Sequence, residues 1–180
     1  MTLPRIAWAA YGFAAVVVIV DQLSKAWVLS ALHMTDPAGG LIDREMWAYH
    51  AIPVLGSVFR ISFVANDGVS FGLFGGGAGR WLLSLFSLGI AGLLAWWAAR
   101  ADRRLLISAI GLVMGGALGN VIDRIRFGFV VDFLDFSGTG VFPWVFNVAD
   151  AAITVGVVLL ILDSIQSERA AKVGLAAEKS

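Results

Sequence analysis

Four stretches of the chain are apolar over the length that a helix needs to cross a bilayer. A spanning helix takes about 20 mostly apolar residues, and such stretches lie at about residues 8–31, 81–99, 105–123 and 144–163. The 180 residues are 59% hydrophobic and only 14% charged, which is far more apolar than a soluble domain. The sequence therefore predicts an all-α membrane protein with four transmembrane helices, and residues 1–180 are expected to form a single domain.

Basic residues near the ends of the spans set the expected orientation. The short turn RADRR, residues 100–104, joins the second and third spans and carries three arginines. Because short loops rich in Lys and Arg stay in the cytoplasm, this turn is predicted to be cytoplasmic, and four spans then place both termini there too. The loops 33–80 and 124–143 are expected to face outward.

The longer outer loop has its own structural signals. Within residues 58–74, the aromatic and aliphatic side chains at 59, 61 and 63 alternate with Arg60, Ser62 and Val64. Asn66-Asp67-Gly68 follows, which is a strong turn signal. We expect a β-hairpin or a small curved sheet lying on the membrane surface. The glycine-rich stretch 75–79 is predicted to be a flexible connector into the second span.

Polar residues from three spans converge at one predicted depth, near the outward ends of the helices. Ionisable groups inside a membrane cost a few kcal/mol each and usually face the interior of a bundle, where they act. A role as helix-end residues reaching for lipid headgroups is the alternative, but three separate spans favour a shared site. The residues are Asp21, Lys25, Asn120, Asp123, Arg124, Asn147 and Asp150.

A glycine ridge on the third span indicates where its carboxylate points. Gly111, Gly115, Gly119 and Asp123 recur every four residues and so share one helix face. Glycines at this spacing allow membrane helices to approach closely. We therefore expect Asp123 to face the bundle interior rather than lipid.

Two aspartates on facing helices, Asp123 and Asp150, suggest an aspartyl dyad. Two close carboxylates cannot readily both ionise and so share a proton. One, as a carboxylate, would take a proton from water. The other, as an acid, would hydrogen-bond the scissile carbonyl and later help to protonate the leaving nitrogen. Asp21 and Lys25 lie four residues apart, so a structural ion pair is favoured for them. Arg124 could be a headgroup anchor, a counter-charge or a substrate clamp.

Other residue classes narrow the chemistry further. The chain has no cysteine, and His33 and His50 form no metal-binding motif, so no metal site is expected. Equal numbers of acidic and basic residues give no basic excess for nucleic acid. Asp132 and Asp135 lie in the outer loop, where we expect them to hold loop structure rather than perform chemistry.

Five sequence blocks resemble the signature blocks of one family, lipoprotein signal peptidase, also called signal peptidase II. The blocks occur in the family's order and cover about residues 10–163. They are DQLSK at 21–25, NDGVSFG at 66–72, GALGNVIDR at 116–124, VVDFLDF at 130–136 and FNVADAAITVG at 146–156.

The resemblance implies a bacterial inner-membrane aspartic endopeptidase with a four-helix membrane bundle and an extracytoplasmic β-cradle. Its substrate would be a prolipoprotein carrying a diacylglyceryl-cysteine, cut on the amino side of that cysteine within the membrane lipid. Asp123 and Asp150 would be catalytic, and no metal, organic cofactor, nucleic acid or obligate protein partner is implied. The residues implied to support the site or bind substrate are Asn66, Gly68, Asn120, Arg124, Asn147, Asp21 and Lys25.

Alternatives of other classes remain at this point. A small transporter would also hold aspartates inside a bundle, but its polar groups would lie near the midplane between repeated halves. A non-catalytic membrane scaffold would explain the glycine ridge but not two facing carboxylates. Other intramembrane aspartyl proteases carry a GxGD motif, which this chain lacks.

Overall fold

Four long helices form the main body of the protein. A computed structural model describes residues 6–35, 40–41, 51–68 and 78–177, and of residues 174–177 only the backbone. Each helix is long and apolar enough to cross a membrane. This confirms the predicted helical membrane architecture. The helices are α1 (Ala7–Ala31), α2 (Ala78–Ala98), α3 (Arg104–Arg126) and α4 (Val148–Ala177).

The fourth helix begins later and ends later than the sequence indicates. Val145 and Phe146, which the apolar pattern assigns to the span, instead form a short strand that pairs with an earlier one. The helix then starts at Val148, directly after Asn147. At the other end it continues to Ala177, beyond the predicted end of the span at about residue 163.

A four-stranded antiparallel sheet lies in the loops outside the bundle, as the sequence predicts. Its order is β1-β2-β3-β4, so each strand pairs with its neighbours in the chain. Strands β3 and β4 come from the loop between α3 and α4, where no strand was predicted. The strands are β1 (Ala51–Leu55), β2 (Phe59–Asn66), β3 (Val130–Asp135) and β4 (Val145–Phe146).

The hairpin turn is not at Asn66-Asp67-Gly68. The turn joining β1 and β2 occupies residues 56–58, where Gly56 has a φ of 52° and the amide of Val58 donates to the Leu55 carbonyl at 2.9 Å. The NDG sequence ends β2 instead: the amide of Gly68 donates to Asn66 Oδ1 at 2.8 Å, which is an Asx turn. Residues 69–77, the rest of the predicted hairpin and most of the predicted connector, lie outside the described residues.

Helix α3 is the central helix of the bundle. In its most apolar part 72% of residues are buried, against 33%, 22% and 17% in α1, α2 and α4. The other three helices expose large apolar side chains such as Trp27 and Phe86, as lipid-facing surfaces do. The polar residues of α3 are thus surrounded by protein on most sides.

The predicted glycine ridge packs against α1. A Cβ atom at Gly115 would lie 2.7 Å from the Ala14 carbonyl oxygen, and one at Gly119 would lie 2.7 Å from Asp21 Oδ2. Any side chain at these positions would push the helices apart, so glycine is what allows the contact. The face of α3 that ends in Asp123 is therefore directed at α1.

A neighbouring face of α3 packs against α4. A Cβ atom at Gly116 would collide with the carbonyl oxygen of Ala149, near the start of α4. Asn120 follows one turn later on the same face. The sheet covers the same end of the bundle, where Val131 and Phe133 of β3 pack on Val28 and Leu29 of α1.

Candidate active site

Lys25 lies at the centre of a buried ionic cluster between α1 and α3. Its ammonium contacts Asp21 Oδ2 and Asp123 Oδ2, both at 2.8 Å, and donates to Asn120 Oδ1 at 3.2 Å. Lys25 is 2% exposed and both aspartates are fully buried. The predicted ion pair of Asp21 with Lys25 is present, and Asp123 shares the same lysine.

Asp123 accepts hydrogen bonds from three protein donors. Besides Lys25, Gln22 Nε2 donates to Asp123 Oδ1 at 2.9 Å, and the amide of Val131 donates to Asp123 Oδ2 at 3.0 Å. Because the glycine ridge turns Asp123 towards α1, its carboxylate ties α1, α3 and β3 together. The structure therefore does not support the predicted pairing of Asp123 with Asp150. Gln22, which the sequence analysis missed, lies in the DQLSK block beside Asp21.

Asp150 lies in the first turn of α4, where it takes part in a reciprocal cap with Asn147. The Asp150 amide donates to Asn147 Oδ1 at 2.9 Å, and the Asn147 amide donates to Asp150 Oδ2 at 3.4 Å. This exchange satisfies backbone donors at the helix start. Asn120 Nδ2 donates to Asp150 Oδ1 at 2.8 Å, so α3 also orients the carboxylate.

Asp132 of β3 is the second carboxylate on this side of the site. Asn66 Nδ2 donates to its Oδ2 at 2.9 Å and Asn147 Nδ2 donates to its Oδ1 at 2.7 Å. Burial and, to a smaller degree, the charge of Asp150 raise the pKa of Asp132 to about 6. Asn147 thus contacts Asp132 through its side-chain amide and Asp150 through its cap, which brings the two acidic residues into one network.

Asp135, three residues further along β3, has the structural role expected of both loop aspartates. Arg60 forms an ion pair with it at 2.9 Å, and the hydroxyls of Ser62 and Ser137 donate to it. Although burial opposes ionisation, these hydrogen bonds and the arginine hold the pKa of Asp135 well below its usual range. Asp132, by contrast, belongs to the site. The isolated acid within an apolar VVDF strand is the signal that could have identified it.

Asn120 connects the buried ionic cluster with the second group of carboxylates. Its Oδ1 accepts from Lys25 at 3.2 Å and from Asn147 at 3.3 Å, while its Nδ2 donates to Asp150. These three contacts fix the orientation of the amide. A movement of the lysine cluster would therefore be transmitted to Asp150.

Arg124 supplies positive charge next to the carboxylates. Its guanidinium interacts electrostatically with Asp150, Asp123 and Asp132. Gly68 lies close to it: a Cβ atom there would be 3.7 Å from Arg124 Nη2, and the φ of 74° favours glycine in any case. Of the predicted outer-loop residues, Gly68 thus lies beside Arg124 of α3, while Asn66 contacts Asp132 of β3.

Two cavities reach Asp150 from different sides. One, of about 350 Å³, is lined by apolar side chains of the loop before α4 and of α4 itself, including Phe142, Phe146 and Val155. The other, of about 310 Å³, lies between α2, α3 and α4 and is lined by Asn120 and Arg124 among others. Asp150 is therefore open to a ligand with both apolar and polar parts, whereas Asp123 is not.

The comparisons with known proteins agree on one family. Residues 13–166 match the family model described as Signal peptidase (SPase) II. The chain belongs to the signal peptidase II family. It is 47% identical over 170 residues to the lipoprotein signal peptidase of Caulobacter vibrioides, covering 93% of each chain. It is 46% identical over 150 residues to that of Methylorubrum extorquens, covering 82% of this chain and 80% of the relative.

Solved structures give the same result at the level of the fold. One described as a bacterial membrane enzyme structure obtained by the in meso method at 2.3 Å resolution superposes with a TM-score of 0.71 at 26% identity. The match covers 93% of this chain and 94% of that one. Membership of the signal peptidase II family identifies the protein as a peptidase and as a multi-pass bacterial membrane protein.

Proposed function

We propose that the protein is an aspartic endopeptidase that removes the signal peptide from diacylglyceryl-modified prolipoproteins, with Asp132 and Asp150 as the catalytic pair. Cleavage would fall on the amino side of the lipidated cysteine. Family membership supports the class of substrate. The arrangement of the carboxylates supports the mechanism, and it favours Asp132 over Asp123 as the partner of Asp150.

The observation that carries this proposal is the contrast between Asp123 and Asp132, the two candidate partners of Asp150. Both acids are buried, but Asp123 accepts from Gln22, Lys25 and the backbone of β3, and no described hydrogen bond joins these donors to Asp150. Asp132 contacts the same Asn147 that caps Asp150, and the charge of Asp150 acts on its pKa. An aspartyl dyad needs two carboxylates that influence each other's ionisation, and Asp150 borders two cavities through which substrate can reach the pair.

The two carboxyl groups would divide the proton transfers between them. Because burial raises the pKa of Asp132 to about 6, Asp132 is assigned the shared proton of the pair and Asp150 the role of general base. Asp150 takes a proton from a water molecule as the water oxygen bonds to the scissile carbonyl carbon, while Asp132 gives its proton to the carbonyl oxygen. Collapse of the tetrahedral intermediate breaks the carbon–nitrogen bond as the proton held by Asp150 passes to the leaving nitrogen. Asp132 takes back a proton from one hydroxyl as the carbonyl re-forms, so both groups return to their starting states.

The cavities beside Asp150 suit an amphipathic substrate. The apolar cavity lined by Phe142, Phe146 and Val155 can take hydrocarbon from the diacylglyceryl group. The cavity bordered by Asn120 and Arg124 offers donors for peptide carbonyl groups. With the turn at residues 100–104 in the cytoplasm, this site would lie at the outward leaflet, where a translocated lipoprotein precursor keeps its lipid.

The remaining predicted residues would act on the pair indirectly. Asn66 and Asn147 hold Asp132, Asn120 holds Asp150, and Arg124 lowers the cost of two neighbouring negative charges. Asp21 and Lys25 would fix α1 against α3 so that Asn120 keeps its orientation. Gly68 allows the outer loop to approach Arg124.

The decisive experiment compares two substrates and three aspartate variants of the purified protein. A diacylglyceryl-modified prolipoprotein should be cut and the unmodified precursor should not. Asp132→Asn and Asp150→Asn should each lower the cleavage rate by roughly 10²–10⁴-fold. Asp123→Asn should keep cleavage within about tenfold, because Lys25 still pairs with Asp21 and the replacement amide oxygen can still accept hydrogen bonds.

Asp135→Asn is the matched control, since it makes the same change in the same strand at a carboxylate that only holds the sheet. Folded Asp135→Asn protein should cleave at a rate close to that of the unmodified protein. Substantial cleavage by folded Asp132→Asn protein, or a loss in folded Asp123→Asn protein as large as that in Asp150→Asn protein, would refute the proposed pair.

A further inference from the structure

A third cavity lies between α1 and α3, at the end of the bundle opposite to the acidic site. It has a volume of about 550 Å³, within the range of about 300–1,000 Å³ for ligand sites. Its walls are mostly apolar, with two polar side chains at one side and no acidic side chain. The lining residues are Ile6, Ala9, Phe13, Arg104, Ile107 and Ser108.

Arg104, unlike Arg100 and Arg103, has no partner among the residues that the structure describes. Arg100 stacks on Trp96, 4.1 Å from its ring centre, and donates to its carbonyl oxygen. Arg103 forms an ion pair with Asp163 at 2.8 Å. Within the part of the chain that the structure describes, Arg104 forms no hydrogen bond, ion pair or ring contact, and it is exposed at the edge of the cavity.

The position of Arg104 along α3 places the cavity at a membrane surface. Nineteen residues separate Arg104 from Asp123 in one continuous helix, which at 1.5 Å per residue is about 28 Å. This is close to the thickness of the hydrocarbon core, about 30 Å. The guanidinium therefore lies at headgroup level of the leaflet opposite to the acidic site, with the apolar walls extending into the hydrocarbon.

We propose that this cavity binds an anionic glycerophospholipid, with Arg104 on the phosphate and an acyl chain against Ile6, Ala9 and Phe13. A guanidinium binds phosphate oxygens through two parallel hydrogen bonds, and the Ser108 hydroxyl, one helical turn on, can donate a further one. Because no acidic residue lines the cavity and residues 100–104 carry three arginines against one aspartate, a net negative headgroup is preferred to a zwitterionic one.

The test measures lipid retention by the purified full chain in a non-ionic detergent. The probes are dioleoyl phosphatidylglycerol and dioleoyl phosphatidylcholine, which differ in headgroup but not in acyl chains, and native mass spectrometry counts the bound lipid. We expect a preference of about fivefold for phosphatidylglycerol, since one arginine near a membrane surface contributes about 1 kcal/mol towards anionic lipid. Arg104→Gln should remove this preference, and Arg104→Lys should keep most of it.

Arg100→Gln is the matched control, because it removes an arginine from the same turn but outside the cavity, and it should leave the preference unchanged. Equal retention of the two lipids by the unmodified protein would overturn the proposal. Equal losses in Arg100→Gln and Arg104→Gln would also overturn it, since they would indicate a diffuse surface charge rather than a site.

A second measurement does not depend on charge. The chain lacks cysteine, so a single cysteine can be labelled with a bulky maleimide at Ala9, on the cavity wall, or at Leu85, a lipid-facing position on α2. Labelled Ala9→Cys protein should retain less phosphatidylglycerol than the unlabelled variant, and labelled Leu85→Cys protein should not. Undiminished retention by labelled Ala9→Cys protein would place the lipid elsewhere.

Discussion

Replacing Lys25 by methionine tests whether the buried ionic cluster stabilises the fold. The substitution keeps a long apolar side chain and removes one charge that contacts two buried carboxylates at 2.8 Å. Both aspartates would then be left inside the protein without their counter-charge. The free energy of unfolding should therefore fall substantially, although no group that touches substrate in the proposed mechanism has changed.

The contacts that survive set the size of the effect. Removing one partner of a buried ion pair costs about 3–5 kcal/mol. After the substitution Asp21 Oδ1 still accepts from the amide of Ala149 at 3.0 Å, and Asp123 still accepts from Gln22 and Val131. Because these donors stabilise the two negative charges in part, we expect a loss near the lower end of that range, about 3 kcal/mol.

The assay is reversible unfolding in mixed micelles of a non-ionic detergent and dodecyl sulfate, followed by circular dichroism. Lys172→Met is the matched control: it breaks an ion pair of the same four-residue spacing, with Glu168, at side chains 73% and 67% exposed. That loss should be about 0.3–0.5 kcal/mol. Adding Asp123→Asn to Lys25→Met should restore at least about 1 kcal/mol, because one uncompensated charge disappears. A loss of stability in Lys25→Met no larger than that in Lys172→Met would refute the electrostatic reasoning. So would a double variant that is no more stable than Lys25→Met.

Two further predictions concern packing and pH. Gly115→Ala should lower the free energy of unfolding by about 1–3 kcal/mol, because the new methyl group meets the Ala14 backbone. Gly89→Ala is the control: nothing lies within 4 Å of its new methyl group, so it should be neutral or stabilising in the same assay. Burial raises the pKa of Asp132 from 3.8 to about 6. The contribution of protonated Asp132 to the free energy of unfolding is therefore complete below about pH 4 and is lost as the pH rises through about 6. This loss is on the order of 2–3 kcal/mol. Asp132→Asn should therefore remove that part of the pH dependence, and an unchanged profile would contradict the burial argument.

The sequence was sufficient to predict the positions of the helices because the bilayer imposes a strong and local constraint on the chain. About 20 apolar residues in a row have few alternatives to a spanning helix, so α1, α2 and α3 begin and end close to the predicted residues. The sheet was harder to predict because β2 pairs with β3 across 63 intervening residues, from Asn66 to Val130. Such pairing depends on where the bundle places the strands, which a local pattern of alternation does not contain.

The glycine ridge illustrates what a helical pattern can and cannot determine. Its four-residue spacing correctly indicated that Asp123 faces the interior, but not which neighbouring helix it faces. The ridge packs on α1, as the contact of Gly119 with Asp21 shows, while the face through Gly116 and Asn120 packs on α4. The two faces differ by one residue in register, and that offset directs Asp123 at α1 and Asn120 at Asp150.

The balance of charge gives an independent reason for a shared proton at this end of the bundle. Among the residues that the structure describes, four carboxylates at this end are compensated by two cations, so full ionisation would leave two net negative charges in a mostly buried region, which is costly. Binding one proton halves that excess. Lys25 lies between two of the acids and Arg124 lies beside the other two, so each pair keeps one negative charge unless it binds a proton. Burial raises the pKa of Asp132 to about 6, which favours proton binding by the pair beside Arg124, and Asp150 of this pair borders the cavities. The acids are Asp21, Asp123, Asp132 and Asp150.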